Sequence, residues 1–257
     1  VRDHPDWRTY WTVYKLSVQN IYMYGRPKML QLTGIIPSEF VNACARANAD
    51  VVRYMLPYVL GDADIMNDGL NAVCFFGCPE VLAILVNAGV DKQLLGGQCL
   101  LFAAQHGFVG ILQYIFESGA HITHGYLALS CASFNGQLEA VQMLVSHMPE
   151  LCEDHDSILN ACSNGHLDIV QYFAGIKRSG VPWPAYYTLA PAVRAGNTEI
   201  VRYLIGLGVD VRDIDRGTVK TALMYGYHVI VRILSRAANV HARAAMRMHG
   251  LARRKTL

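Results

Sequence analysis

Charged residues are scarce in this chain. They make up 16% of its 257 residues, whereas hydrophobic residues make up 53%, and the formal net charge is +2. Disordered chains are polar and highly charged, so this composition excludes disorder. The small net charge excludes a strong electrostatic attraction of the whole molecule to nucleic acid or to a membrane surface.

Long apolar runs are also missing. A membrane-spanning helix needs about 18 to 20 apolar residues, and the longest candidates are interrupted by Arg, Pro, Asp or Gly. No secretory leader opens the chain, which begins Val1-Arg2-Asp3. The seven cysteines are an odd number. These features favour a soluble protein of a reducing compartment.

Catalytic and metal-binding motifs are absent as well. The chain has no glycine-rich phosphate loop, no HExxH and no nucleophile elbow. Cys74 and Cys78 are four residues apart, but a zinc site needs about four ligands and no second pair has matching spacing. Cys44, Cys74 and Cys162 occupy small-residue positions, which predicts buried packing residues. We therefore expect no enzymatic activity, no metal and no cofactor.

The polar run at residues 153–156 and the lone His166 can each be interpreted as structural or as chemically active. The run Glu153, Asp154, His155 and Asp156 could serve a metal or acid–base chemistry, but a solvated loop with Asp156 as a helix N-cap is the favoured interpretation. His166 occupies a turn position, where we expect it to hydrogen-bond the neighbouring turn rather than to act in catalysis.

One eight-residue sequence motif occurs in seven copies, at intervals of 29 to 31 residues. A glycine precedes six of the copies, and Ala47 takes its place before the first. Near-equal intervals that carry one pattern indicate an internal structural repeat. The copies are ADVVRYML (49–56), PEVLAILV (79–86), VGILQYIF (109–116), LEAVQMLV (138–145), LDIVQYFA (167–174), TEIVRYLI (198–205) and HVIVRILS (228–235).

Each copy predicts two helices joined by a tight turn. Apolar residues such as Ile200, Val201 and Leu204 form the single apolar stripe of one helix. A shorter helix precedes the glycine, with a large apolar residue seven positions before it and, in most copies, a small residue four before it. The glycine ends this helix, because a left-handed backbone there carries no Cβ penalty. A lone pair cannot bury its stripe, so neighbouring pairs must stack.

These repeats resemble the ankyrin repeat family. The match is clearest in residues 99–122, 158–176 and 192–211, where a small-residue pair, a polar pair, a glycine and an apolar helix follow one another. The resemblance covers roughly residues 38–242. It implies an all-α fold, an ankyrin-type α-solenoid of stacked helix-turn-helix repeats.

The repeats also depart from the family pattern. The Thr-Pro-Leu-His opening is absent, and a period near 30 rather than 33 implies shortened loops in place of a β-hairpin. Shortened repeats of this kind look like those in ankyrin proteins of large DNA viruses that infect amoebae. We divide the chain into a degenerate N-terminal cap repeat (1–37), about seven ankyrin-like repeats (38–242) and a truncated C-terminal cap with a basic tail (243–257).

The resemblance places the two residues before each glycine on a concave binding face. Surface positions are usually polar, and aromatic and arginine side chains dominate interface hot spots. Successive helical residues are rotated by about 100°, so the alternative is that one of each adjacent pair packs between repeats. The candidate partner-binding residues are Arg46, Phe75, Phe76, His106, Phe134, Arg194 and Tyr225, extended by the loop residues Tyr126 and Tyr186.

We therefore predict a protein–protein interaction scaffold that binds a partner protein, does not bind a membrane, and is a monomer or weak oligomer. The alternative is an adaptor that recruits a target to a ubiquitin ligase or other host machinery through the aromatic segment 7–24. Binding of nucleic acid by the basic tail is less favoured. We expect a cytoplasmic location, in the host if the protein is viral, with the nucleus as the alternative.

Overall fold

A computed structural model describes residues 35–176 and 185–239, with the backbone alone for residues 35, 36, 185–187 and 213. The chain divides into two compact units between Val90 and Asp91. No strand occurs in either described range. The predicted C-terminal cap, and all but the last three residues of the predicted N-terminal cap, lie outside the described residues.

The first unit contains two helix pairs. The helices are α1 (Ile35–Ala45), α2 (Ala49–Val59), α3 (Ala63–Phe76) and α4 (Pro79–Asn87). Helix α1 packs against α2 and α3, and α4 packs against α2 and α3. Phe40, Val52 and Leu82 are fully buried between them. The side chain of Asp62 accepts the Asp64 and Ile65 amide hydrogens and so caps α3.

The second unit contains five helix pairs. The first helices of the pairs are α5 (Gln98–His106), α7 (Gly125–Phe134), α9 (His155–Asn164), α11 (Ala185–Ala195) and α13 (Arg216–Met224). The second helices are α6 (Val109–Glu117), α8 (Leu138–His147), α10 (Leu167–Gly175), α12 (Thr198–Gly206) and α14 (228–239).

Stacking in the second unit joins like helices of successive pairs. Each first helix packs against the next first helix from α5 to α13, and each second helix packs against the next from α6 to α12. The small residues predicted four positions before the glycines are fully buried. They are Ala103, Ala132, Ala161, Ala192 and Ala222. The helices therefore approach closely at these alanines, as the repeat pattern predicts.

A residue with a left-handed backbone ends the first helix of every described pair. The φ angle is 55° at Ala47 and 72° to 87° at the glycines. The next residue donates its N–H to the carbonyl five residues earlier, for example Phe108 to Ala103 at 2.8 Å and Tyr227 to Ala222 at 2.8 Å. This Schellman-type closure satisfies a carbonyl at the helix end and starts the second helix at once.

The residue that follows the left-handed position also contacts the preceding repeat. We call Cys78, Gln137, His166, Asn197 and Tyr227 the ladder residues. In the second unit each ladder side chain covers the turn glycine of the previous pair, so that a Cβ on Gly136 would lie 2.5 Å from the His166 ring. In the first unit the backbone of Ala47 hydrogen-bonds the Cys78 thiol. The same position therefore joins consecutive repeats within each unit.

Two ladder residues hydrogen-bond the helix end that they cover. His166 Nε2 lies 2.9 Å from the carbonyl oxygen of Phe134, and the Asn197 side-chain amide donates to the carbonyls of Cys162 at 2.8 Å and Ser163 at 3.0 Å. These carbonyls have no partner within their own helix. The predicted turn contact of His166 is thus confirmed.

Short connections replace the hairpin that joins longer repeats. Single turns of 3₁₀ helix occur at Lys92–Gly96, Pro149–Glu153 and Val211–Asp213. The predicted N-cap at Asp156 is wrong by two residues. Helix α9 begins at His155, so Asp156 lies in its first turn, and Asp154 accepts the Ser157 amide hydrogen at 3.0 Å.

Ala47 is the one described non-glycine residue with positive φ. A Cβ at a left-handed position costs about 1 to 2 kcal/mol, which a glycine avoids. Glycine loses more backbone entropy on folding than alanine, and this loss offsets part of the benefit. Ala47→Gly should therefore raise the free energy of unfolding by about 0.5 to 1 kcal/mol. Urea denaturation measures the change. Ala45→Gly, within α1, is the control and should lower it; equal effects of the two substitutions would contradict the assignment of strain to Ala47.

Contact with a ladder residue should distinguish two glycines of similar φ. Gly119 (φ 69°) has open space at its Cβ position, whereas Gly136 (φ 75°) is covered by His166. Gly136→Ala should cost about 1 kcal/mol more than Gly119→Ala, because it displaces the His166 hydrogen bond as well as straining the turn. Thermal and urea melts measure both. In a His166→Ala background the two penalties should become equal, and a persistent excess would refute the ladder contact as its cause.

Candidate functional site

The ends of the first helices carry exposed aromatic side chains. The exposed fraction is 46% for Phe75, 55% for Phe76, 52% for Phe134 and 69% for Tyr225. Phe75 and Phe76 are both exposed, whereas the alternative predicted that one residue of each adjacent pair packs between repeats. The two residues before each left-handed position lie at or just beyond the end of the first helix, and none of them is buried.

The first unit holds three of the predicted binding residues. Phe75 and Phe76 end α3, and their rings meet edge to face with centroids 5.1 Å apart. Arg46 lies at the corresponding position just after α1 and is exposed. The first unit therefore presents a paired phenyl surface next to one turn glycine, Gly77.

The second unit holds five further predicted residues whose side chains are described. His106 ends α5 and stacks against Phe108 with centroids 5.4 Å apart. Tyr126 is the second residue of α7 and Phe134 is the last, and both side chains are exposed. Eight residues along a helix place the two rings on neighbouring sides of α7, about 12 Å apart along its axis.

The last described pairs contribute Arg194 and Tyr225. Arg194 lies near the end of α11 and is exposed, and its Nη1 atom lies 3.4 Å from the Thr218 hydroxyl on α13. Tyr225 follows α13 and stacks with Tyr227 at a centroid distance of 5.9 Å. Met224, beside it, is 76% exposed. The side chain of Tyr186, also predicted to bind a partner, lies outside the described residues.

The predicted residues of the second unit form a row rather than a pocket. Phe134 and Tyr225 are separated by three successive first-helix steps, from α7 to α13. Packed helices lie about 8 to 10 Å apart, so the row extends roughly 30 Å between these two residues. Ser163 and Asn164, at the end of α9, are polar and exposed between them. An extended or broad ligand fits this arrangement, whereas one small molecule cannot bridge it.

Three buried cysteines, Cys44, Cys78 and Cys162, provide packing rather than reactive thiols. Burial raises the pKa of Cys44 and of Cys162 to about 12. Burial also raises the pKa of Cys78, against a smaller opposing effect of the hydrogen bond from the Ala47 backbone. The thiolate is the nucleophilic and metal-binding form, so these thiols are unreactive at neutral pH. Within the described ranges, no three His, Cys, Asp or Glu side chains are grouped closely enough to hold a metal ion.

Charge is segregated along the second unit, a feature that the overall net charge of +2 conceals. Residues 91–176 contain eight acidic residues and one basic residue, whereas residues 185–239 contain seven basic and four acidic residues. This segregation is visible only when charged residues are counted separately in each segment. The acidic residues of 91–176 are Asp91, Glu117, Glu139, Glu150, Glu153, Asp154, Asp156 and Asp168, against Lys92.

The basic residues of the later segment are all exposed. They are Arg194, Arg202, Arg212, Arg216, Lys220, Arg232 and Arg236. The acidic residues there are Glu199, Asp210, Asp213 and Asp215. The repeat pattern predicted Arg194 and Tyr225, which occupy the two positions before a turn glycine. Lys220 and Leu223 lie earlier in α13 than those positions, so the pattern did not single them out.

No helix in the described ranges combines the length and the apolar character needed to cross a bilayer. This finding agrees with the interrupted apolar runs of the sequence.

Comparison with known proteins points to one family. Three copies of a family model for ankyrin repeats match the chain, and the matched segments include residues 70–155 and 100–181. An ankyrin repeat and KH domain-containing protein of Caenorhabditis briggsae is 26% identical over 196 residues, which cover 68% of this chain and 7% of that protein. A putative ankyrin repeat protein of Acanthamoeba polyphaga mimivirus is 21% identical over 159 residues, 60% of this chain and 24% of that protein.

The chain therefore spans less than a quarter of the length of either relative. Ankyrin repeats form protein–protein interaction domains, and the family is typically not enzymatic. The matched family model agrees with the strand-free helix pairs and their left-handed turns. Residues 70–181 therefore consist of ankyrin repeats, and the chain resembles, at low identity, an ankyrin repeat protein of an amoebal virus.

Proposed function

We propose that this chain is a protein-binding scaffold that contacts its partner through the exposed ends of the first helices. The observation that carries the proposal is the exposure of Phe75, Phe76, Phe134 and Tyr225 at equivalent positions of different repeats. Phe75 with Phe76, and Tyr225 with Leu223 and Met224, are neighbouring exposed apolar side chains, and exposed apolar patches commonly mark an interaction site. Aromatic side chains at such a site bury much area on binding.

The fold itself does not require aromatic side chains at these positions. The equivalent positions in other repeats hold Ser163 and Asn164, or Ala195, and those repeats have the same turn geometry. The hydrogen bond from His166 to residue 134 uses the backbone carbonyl, which every amino acid supplies. The exposed rings of Phe134 and Tyr225 are therefore not needed for the turn geometry that the repeats share.

A binding role also agrees with the titratable groups of the described residues. Burial accounts for the raised pKa values of the thiols. The pKa of Asp215 is lowered, mainly by the hydrogen bond from the Thr218 side chain, and this carboxylate caps α13. These shifts have structural causes, so we propose a non-enzymatic function.

The adaptor role assigned to residues 7–24 stays a prediction, since that segment lies outside the described residues. The cytoplasmic location and the monomeric or weakly oligomeric state also stay predictions.

Affinity capture with the complete chain tests the scaffold. Wild type is compared with Phe75→Arg/Phe76→Arg, with Phe134→Arg and with Tyr225→Arg in a eukaryotic lysate, followed by mass spectrometry. A partner protein should be enriched by wild type and reduced at least about tenfold by one or more variants, as expected for an aromatic hot spot. The matched control, Gln142→Arg/Gln171→Arg, changes exposed positions of the second helices α8 and α10 and should retain the partner.

Retention of the partner by all three aromatic variants would place binding elsewhere on the chain. Capture of no protein by wild type in lysates of several hosts would contradict the scaffold.

The aromatic variants should fold as wild type does. Phe134→Arg and Tyr225→Arg change exposed side chains, so the free energy of unfolding should change by no more than about 0.5 kcal/mol. Leu129→Ala removes a fully buried side chain of α7 and should cost about 2 to 5 kcal/mol. Thermal and urea melts measure both. A large loss in the two surface variants would show that their rings stabilise the stack instead of remaining available to a partner.

A further inference from the structure

We propose that the last described repeat binds an acidic peptide segment that carries an apolar anchor residue. The site is a C-terminal patch, which consists of Arg216, Lys220, Leu223, Met224 and Tyr225. The proposal rests on the scaffold function and adds the chemistry of the partner.

The patch combines basic and apolar side chains on one face of α13. Arg216, Lys220, Leu223 and Met224 are separated by four, three and one residues, so they cluster on the side opposite the buried Thr218 and Ala222. The exposed fractions are 51% for Leu223 and 76% for Met224. An unbranched methionine adapts its shape to different apolar groups. This face therefore offers a deformable apolar surface next to two cations.

Arg194 of the neighbouring first helix lies outside the patch, because it approaches the side of α13 that carries Thr218. Helices α11 and α13 pack together, and the Arg194 guanidinium lies 3.4 Å from the Thr218 hydroxyl. Asp215 partly compensates this arginine, but its carboxylate already accepts hydrogen bonds from the Thr218 amide at 2.8 Å and the Thr218 hydroxyl at 2.6 Å. The patch keeps a net positive charge, because Arg216 and Lys220 outnumber this single carboxylate.

Other arginines in the same segment have carboxylate partners. Arg202 pairs with Glu199, and Arg212 pairs with Asp210. No carboxylate of a described side chain lies within ion-pair distance of Arg216 or Lys220. These two cations are therefore available to a carboxylate of a partner.

The charge of the rest of the second unit favours the same partner. Residues 91–176 are strongly acidic, so they repel an acidic segment, while residues 185–239 attract it. Such segregation both directs the partner to the C-terminal patch and orients it along the row of first helices. The adjacent Leu223, Met224 and Tyr225 then require an apolar side chain in the same segment, since burial of these groups needs a matching surface.

A displayed library of random 12-residue peptides, selected for binding to the complete chain, tests this partner chemistry. The selection is done at about 0.15 M salt, where charges interact over about 8 Å. Selected peptides are synthesised and their Kd is measured by fluorescence anisotropy. They should be enriched in Asp and Glu together with Leu, Ile, Phe or Trp. Arg216→Glu/Lys220→Glu should weaken binding at least about tenfold, the effect of losing two charge-assisted contacts.

Arg232→Glu/Arg236→Glu is the matched control. These residues are also four apart and exposed, but they lie on the second helix α14 of the same repeat pair. The control variant should bind within about twofold of wild type, because it makes the same net charge change away from the patch. A peptide in which Glu is replaced by Lys should prefer the Arg216→Glu/Lys220→Glu variant over wild type. This exchange of preference cannot arise from misfolding.

Several outcomes would overturn the proposal. They are enrichment of basic or uncharged peptides, no enrichment over the library background, and equal losses in the patch and control variants. A 20-nucleotide oligo-dT that binds more tightly than any selected peptide, and is lost in the patch variant, would assign the patch to nucleic acid. Concentration-dependent dimerisation that the patch variant abolishes, measured by sedimentation, would assign it to a second copy of the chain.

The experiments distinguish failure of the acidic-peptide proposal from failure of the scaffold proposal. If a lysate protein is captured and lost through Phe134→Arg or Phe75→Arg/Phe76→Arg while no acidic peptide is selected, the scaffold stands and the acidic partner is refuted. If acidic peptides are selected and lost only through the patch variant, the partner chemistry stands even where the other aromatic positions contribute nothing.

Discussion

A left-handed residue between the two helices of each pair is the constraint on which this structure depends. It reverses the chain within one residue and allows the next amide to close the end of the first helix. It also leaves a space without a Cβ, which the ladder residue of the following repeat fills in the second unit. The missing Cβ of the glycine therefore allows both the local turn and the contact between repeats. Stacking depends on this contact as well as on burial of the apolar stripes.

This arrangement separates the stabilising positions from the variable ones. The alanines near the helix ends and the apolar stripes are buried, and the ladder residues hold neighbouring turns together. The two residues before each left-handed position are not buried in either contact. They can be Phe75 and Phe76 in one repeat and Ser163 and Asn164 in another, with the same backbone. The binding chemistry can thus change from repeat to repeat without loss of the fold.

Electrostatics adds a direction to this row of positions. Within the second unit, an acidic segment precedes a basic one, although the net charge of the chain is close to zero. A partner with an uneven charge distribution would bind such a surface in one orientation. Apolar residues at the end of α13 coincide with the basic segment, so charge and apolar contact can act on the same ligand.

The sequence by itself determined the helix pairs, their period, the left-handed turns and the buried alanines. These features follow from local rules, namely apolar spacing and the conformational freedom of glycine, that need no knowledge of distant contacts. Tertiary structure alone decided that Phe75 and Phe76 are both exposed, that Asp154 and not Asp156 caps α9, and that Arg194 reaches Thr218. Exposure and capping depend on where a helix ends relative to its neighbour by a single residue. The periodic pattern does not define helix ends that closely, because a one-residue shift rotates a side chain by about 100° while leaving the period unchanged.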